Sequence, residues 1–308
     1  MASSGFTPRA IESMRPHIER LAGERVAAFA ASRPPADLAA GLAAPLSTQV
    51  IGDLLGVTLG DRDRFHTLVE TLGSVDPFTG DPDAATAAAR AWADLTRYTA
   101  GLVAAKHNEP GDDLLSALTA VRDARDGRLS DDELIGMATT LVAAGHQTAR
   151  NAISAGTIQL VTENLLPDLA AAPPERVDAI VDEVLRRLVG QIGEPFPRWA
   201  REDIEVEGAP VRTGDLVLVR LEAANHDPRH FTDPEGFIPG RPSTKAHVSF
   251  GRGPHHCLGA SLARVELTAA FRALARRLPG LRLHGPVDGI EWVRGLTDAG
   301  PESVPVAW

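Results

Sequence analysis

A single cysteine, Cys257, stands in a chain of 308 residues. That scarcity excludes an intramolecular disulfide framework, and without a Cys-x-x-Cys pair it leaves no finger- or ribbon-type zinc site. It fits a reducing compartment. Long apolar runs are also missing. None is long enough to span a bilayer, and the opening MASSGFTPRAIESM holds no apolar core that could serve as a signal peptide. Positive charge is in deficit, 31 Lys and Arg against 41 Asp and Glu, and the formal charge of −10 argues against nucleic acid as the main partner. A hydrophobic share of 44% with 23% charged residues is that of a folded soluble chain, expected in the cytoplasm.

Helical spacing dominates what is present. Ile11, Met14, Ile18, Leu21 and Val26 predict a helix over Phe6–Ser32, ended by Pro34-Pro35. A short apolar helix is expected over Leu46–Leu55, another over Asp61–Leu72, and a loop over Gly73–Pro82. An alanine-rich helix follows over Asp83–His107. Ser130 and Glu133 form a capping box at the start of the longest helix, which no proline interrupts before Leu166. In its middle, Ala144 and Thr148 share a face one turn apart, with Gly145 and Gln147 beside them. Small residues there would let a flat ligand lie against the backbone. A glycine at a helix crossing would look the same.

Pro173-Pro174 opens a further helix with Val177, Ile180, Val181, Val184, Leu185 and Leu188 on one face. Glu183 and Arg186 fall off that face, so periodicity alone predicts an exposed ion pair of little weight. A β-rich stretch follows: Ile204–Glu207 alternates, Gly208-Ala209-Pro210 reads as a turn, and Leu216–Leu221 as a strand.

The chemistry concentrates in Phe250-Gly251-Arg252-Gly253-Pro254-His255-His256-Cys257-Leu258-Gly259. Glycines at 251, 253 and 259 suit a tight loop, and Leu258–Leu278 reads as a helix. Cys257 then lies at a helix N-terminus, where free N–H groups favour a thiolate, a good soft ligand for iron. The contiguous His255, His256 and Cys257 cannot easily surround one zinc ion.

The spacing F-x-x-G-x-H-x-C-x-G closely resembles the haem-binding signature of the cytochrome P450 family. Ala144-Gly145-His146-Gln147-Thr148 resembles that family's [AG]-G-x-[DE]-T motif, and Glu183-x-x-Arg186 its E-x-x-R pair. Arg198-Trp199-Ala200-Arg201-Glu202-Asp203 through Gly208 resembles its R-x-A-x-x-D-x-E-x-x-G strand. The resemblance implies one mostly helical domain over 1–308 with a small β region, and haem b between the long helix and the cysteine loop. It implies Cys257 as axial ligand, with Phe250, Gly251 and Gly259 shaping the loop and Arg198 and His255 on the propionates. It implies a buried triad of Glu183, Arg186 and Arg241, and a distal water ordered by Thr148 with Gln147. Oxygenase chemistry on a small or natural-product-sized molecule would follow, with electrons from a ferredoxin-type partner.

Two departures shape the expectations. The family carries a region ahead of the segment matched by Phe6-Thr7-Pro8-Arg9, so a shortened member is expected, with apolar surface open to self-association or a partner protein. Gln147 stands where relatives usually carry an acid that helps deliver protons, and an amide cannot cycle a proton as a carboxylate can. This leaves two rival readings. One is a haem enzyme using peroxide or catalysing isomerisation or cyclisation. The other is a haem-free helper of a partner enzyme, against which the intact cysteine loop counts.

Overall fold

The computed structural model describes residues 6–75, 81–123, 130–192, 197–242, 246–294 and 299–308. Helix α1 (Pro8–Ala30) starts on Thr7, whose hydroxyl accepts from the Ala10 N–H at 3.2 Å. Pro16 removes one of its backbone hydrogen bonds. The helix holds because Ile11, Ile18, Leu21, Ala22, Val26 and Phe29 are buried along one side. Strand β1 (Ala36–Asp37) and a π-helical turn (Ala39–Ala43) lead into α2 (Ala44–Leu54). Helix α3 (Arg62–Gly73) and the long α4 (Pro82–Asn108) follow. Of the loop expected between them, 76–80 lies outside the described residues.

Helix α5 (Leu114–Asp123) has no counterpart in the sequence reading. Its start is set by Asp113, which accepts from the Ser116 N–H at 2.8 Å and pairs with Lys106 at 2.7 Å. Helix α6 (Asp131–Thr162) begins with the expected capping box, both halves formed. At 32 residues it is about 48 Å long. It stops four residues before Leu166. Asn164 takes a left-handed φ of 54°, and Pro167 opens a separate short turn. Helix α7 (Pro174–Leu188) then packs against α6.

The β region is built of short pieces. Strands β2 (Arg198–Trp199), β3 (Ile204–Val206), β4 (Ala209–Val211) and β5 (Leu216–Val217) form two separate antiparallel pairs, β2 with β5 and β3 with β4. The turn sits at Glu207-Gly208, with φ of 49° and 80°, so Ala209 and Pro210 belong to a strand and not to the turn expected there. The strand expected over Leu216–Leu221 is likewise cut short, because helix α8 (Leu221–Asn225) begins at its end.

After the cysteine loop comes α9 (Ala260–Arg277), which lies along α1 in the most extensive helix contact among the described residues. Strands β6 (Arg282–Leu283), β7 (Trp292–Arg294), β8 (Ala299–Pro301) and β9 (Pro305–Ala307) complete the chain. Strand β9 lies between β1 and β6, and β7 pairs with β8, all antiparallel. One apolar core runs through α1, α2, α4, α6, α7 and α9. Glu266 of α9 is buried within it, and burial raises its pKa to about 8. The mostly helical architecture with a small β region is the one expected, and no helix among the described residues is long and apolar enough to cross a membrane.

Candidate active site

The cysteine loop is shaped by its own backbone. Gly251 and Gly253 have φ of 72° and 83°, a region that costs other residues strain. The Gly251 N–H donates to Val248 O at 2.8 Å, and the Cys257 N–H donates back across the loop to Phe250 O at 2.8 Å. The Arg264 guanidinium lies 4.7 Å above the Phe250 ring and donates to Asp182 at 2.9 Å. Cys257 is thereby held rigidly while its side chain stays exposed, three residues before α9.

The thiolate expected from the helix terminus is not what the bare loop favours. Desolvation by neighbouring atoms raises the Cys257 pKa, and the opposing pull of the Gly259 N–H and Arg264 does not overcome it. A cation at the sulfur would have to supply the missing stabilisation. The described residues hold no group of three or more His, Cys, Asp or Glu side chains that could cage a metal ion. A lone rigid sulfur therefore suits a metal that arrives with its other ligands already in place, as iron does in a porphyrin.

Behind the loop, Glu183 and Arg186 are fully buried, so the exposed ion pair predicted by periodicity is not formed. Arg186 forks onto both Glu183 oxygens at 3.0 Å, and Arg241 adds bonds to the same carboxylate, the shortest 3.0 Å. The Ile238 N–H also donates to it at 3.0 Å. Burial alone would raise the Glu183 pKa. Arg186, the Ile238 N–H and Arg241 outweigh that and bring it below the ordinary range. The two arginines are then used up on carbonyls of the preceding loop: Arg186 on Asn225 O and Pro234 O, Arg241 on Thr232 O and Gly236 O.

Asn225 joins this cluster to the cysteine loop, a role that its place in a turn-like Ala-Ala-Asn-His-Asp-Pro run did not reveal. Its amide donates to Arg186 O at 3.0 Å and to Ser249 Oγ at 2.9 Å, and its carbonyl accepts from the Val248 N–H at 2.8 Å. Ser249 Oγ donates in turn to Leu185 O. Asp182 does the same from the next position, holding Arg264 and facing His247 at 3.5 Å.

On α6, Ala144 and Thr148 are both exposed on one face, and Thr148 Oγ1 donates to Ala144 O at 2.7 Å. Gly145 serves a different purpose from the one its neighbours suggest. A Cβ there would lie 2.8 Å from Ile51 Cδ1 of α2, so the glycine makes room for a close helix crossing. Gln147 is half-buried against α3, where a Cβ on Gly73 would meet its Oε1 at 2.7 Å. His146, which the sequence left unremarked between them, is 1% exposed and bridges three helices. Its Nδ1 lies 3.0 Å from Ser47 Oγ and 3.1 Å from Thr48 Oγ1, and its Nε2 stands 2.8 Å from Glu70 Oε1. Arg198 on β2 and His255 in the cysteine loop are both exposed.

Comparison with known proteins agrees with this geometry. The family model described as Cytochrome P450 matches residues 175–278. The chain is 38% identical over 303 residues to a mycinamicin IV hydroxylase/epoxidase of Micromonospora griseorubida, covering 98% of this chain and 75% of that protein. It is 36% identical to a nocardicin C N-oxygenase of Nocardia uniformis subsp. tsuyamanensis, covering 100% and 75%. Among solved structures, the mycinamicin VIII C21 methyl hydroxylase of M. griseorubida matches with a TM-score of 0.88 at 34% identity, covering 99% of this chain and 76% of that one. With relatives this similar over three quarters of their length, and a rigid cysteine loop tied to a buried glutamate–arginine cluster, the chain belongs to the cytochrome P450 family.

Proposed function

We propose that the protein is a haem-thiolate monooxygenase acting on a natural-product-sized substrate, and that its haem is iron protoporphyrin IX. The observation that carries this is the rigid, exposed Cys257 in a loop tied to the Glu183 cluster. When bound, haem supplies the activation of dioxygen. The chain's own residues do the rest. Cys257 would hold the iron through its sulfur, the Cys257–Phe250 backbone bond fixes the loop that presents it, and Gly259, where a Cβ would stand 3.9 Å from Sγ, leaves that flank of the sulfur bare. Arg198 and His255 neutralise the propionates. Thr148 holds a water on the Ala144 face, and its hydroxyl, anchored on Ala144 O, can turn to donate to that water. Electrons come from a ferredoxin-type protein docking near the cysteine loop.

The names of the relatives, a hydroxylase/epoxidase of mycinamicin IV and an N-oxygenase of nocardicin C, favour a secondary metabolite as substrate. An absorption spectrum of the purified protein, oxidised and then reduced under carbon monoxide, tests the assignment. A thiolate-type carbonyl band is expected, followed by oxygen-dependent product formation with reduced ferredoxin. Turnover with peroxide alone, or isomerisation without oxygen uptake, would favour the non-monooxygenase reading.

The β region supports a further reading of how the protein associates. Trp199, Ile204, Val206 and Leu216 are exposed, with Trp199 at 62%, on strands paired on one side only among the described residues, and Leu218 and Val219 are exposed just after β5. Open strand edges bearing apolar side chains invite pairing with another chain. Self-association, or capture of a partner over this surface, is the expected outcome. Light scattering should show mass rising with concentration, and a monomer at every concentration with no partner recovered would overturn it.

A further inference from the structure

One face of α6 changes character abruptly. Glu133, Thr140, Ala144 and Thr148 recur along it at helical spacing and are all exposed. The next residue on that face, Asn151, is 1% exposed, and Ala155 beyond it is buried as well. Strand β8 lies on Asn151. A Cβ built on Gly300 would stand 2.3 Å from Asn151 Cγ, so a glycine is what lets the strand come this close. The open face that carries Ala144 and Thr148 therefore ends against the β7–β8 pair, within one helical turn of Thr148.

The contact is polar and directed. Asn151 Nδ2 donates to Ala299 O at 2.7 Å, and Asn151 Oδ1 accepts from Arg150 Nη1 at 2.8 Å. Arg150 reaches past it to Glu302 O at 3.2 Å, and the Glu302 N–H donates to Glu291 O at 2.9 Å. Two neighbouring side chains of α6 thus hold the strand pair at the start of β8 and just past its end. The arginine also sets the amide: with Oδ1 on the guanidinium, Nδ2 is left to face the carbonyl. A buried amide costs stability unless it is hydrogen-bonded, and an apolar side chain would fill the space without that demand. What the amide adds is position, one directed bond that fixes where β8 lies along α6.

We infer that Asn151, oriented by Arg150, is a positioning residue for substrate. It sets the β7–β8 pair as the end wall of the open α6 face, and thereby the size of ligand that fits beside Thr148. This rests on the proposed monooxygenase function, in which substrate lies over that face. Asn151 is buried under the strand and acts on a ligand only through it. Directly opposed residues of an antiparallel pair project to the same side. Val293, opposite Gly300 and 55% exposed, therefore gives the wall an apolar side chain on the side that faces α6.

The test uses the haem-loaded protein and two nitrogen ligands of iron, imidazole and clotrimazole, titrated by the shift of the main absorption band. Imidazole is too small to reach the wall, whereas clotrimazole carries a bulky triaryl group. Asn151→Ala should weaken clotrimazole about tenfold, the loss of one apolar contact, and leave imidazole within about twofold. Gly300→Ala should do the same, because its methyl group pushes β8 off α6. The double variant should return clotrimazole to within about threefold of the parent, since Asn151→Ala removes the three atoms nearest the new methyl group. A merely structural loss would weaken both ligands together and leave the double variant worse than either single one. That pattern, or unchanged clotrimazole binding in both single variants, would overturn the proposal. Amide exchange over residues 299–308 of the protein as purified gives a readout apart from haem. Asn151→Ala should speed it several-fold, and unchanged exchange would also overturn the proposal. If the parent shows no band shift with imidazole, the haem reading fails on its own, and the exchange measurement still decides whether Asn151 anchors β8.

Discussion

Cys257→Ser should abolish the thiolate-type spectrum of the reduced carbonyl complex while leaving helical content near that of the parent. The two effects separate because the residue has two independent parts. Its N–H, bonded to Phe250 O at 2.8 Å, holds the loop, and serine keeps that bond. Its sulfur is the one thiol in the chain, and a serine hydroxyl neither ionises nor donates charge to iron in the same way. Circular dichroism and the carbonyl spectrum on one sample check both parts. A mutant that keeps the thiolate band would remove Cys257 from the site.

Glu183→Ala should cost about 3–5 kcal/mol, because it leaves two guanidinium groups buried without their carboxylate. An exposed pair would cost about 1 kcal/mol or less, so the melting temperature discriminates clearly. Arg186 is 0% exposed and cannot swing into solvent, and the carbonyls it also binds cannot neutralise it. Haem retention should fall with stability, since Asn225 passes the same cluster's position on to Val248 and Ser249. The pH dependence has a definite sign. The folded Glu183 pKa lies below its ordinary value, so its contribution is complete above the usual carboxylate range and is lost as pH falls through the lowered value. The parent should therefore lose stability on acidification by an amount that Glu183→Ala does not. A parent and variant with the same acid limb and near-equal melting temperatures would refute the burial argument.

Much of this was legible from residue order, for reasons that differ by element. The capping box at Ser130 declares itself because both partners are local, three residues apart. Helix α5 stayed hidden because its start depends on Asp113 being neutralised by Lys106 from the preceding helix. The turn between β3 and β4 lies earlier than the Gly-Ala-Pro run predicts because Glu207 adopts a positive φ that its residue type disfavours, while Pro210 pairs within β4. Periodicity put Glu183 and Arg186 outside, since it weighs apolar faces and cannot register a carboxylate shared with Arg241 from a distant loop. Only the motif spacing signalled burial. His146 was invisible for the same reason: its partners, Ser47, Thr48 and Glu70, come from two other helices.

The pairing of β1 with β9 also bears on how the chain is made. Asp37 accepts from the Val304 N–H across a separation of 267 residues, and α1 finds its main partner only in α9. Closing a loop of that length costs about 5 kcal/mol in its length-dependent entropy. During synthesis the apolar side of α1 therefore leaves the ribosome long before α9, its main partner, can cover it. Segments from α2 to α7 can condense first, while α1 waits for residues beyond 260. Misassociation during synthesis is then expected at α1, and chaperone occupancy should centre there until α9 emerges.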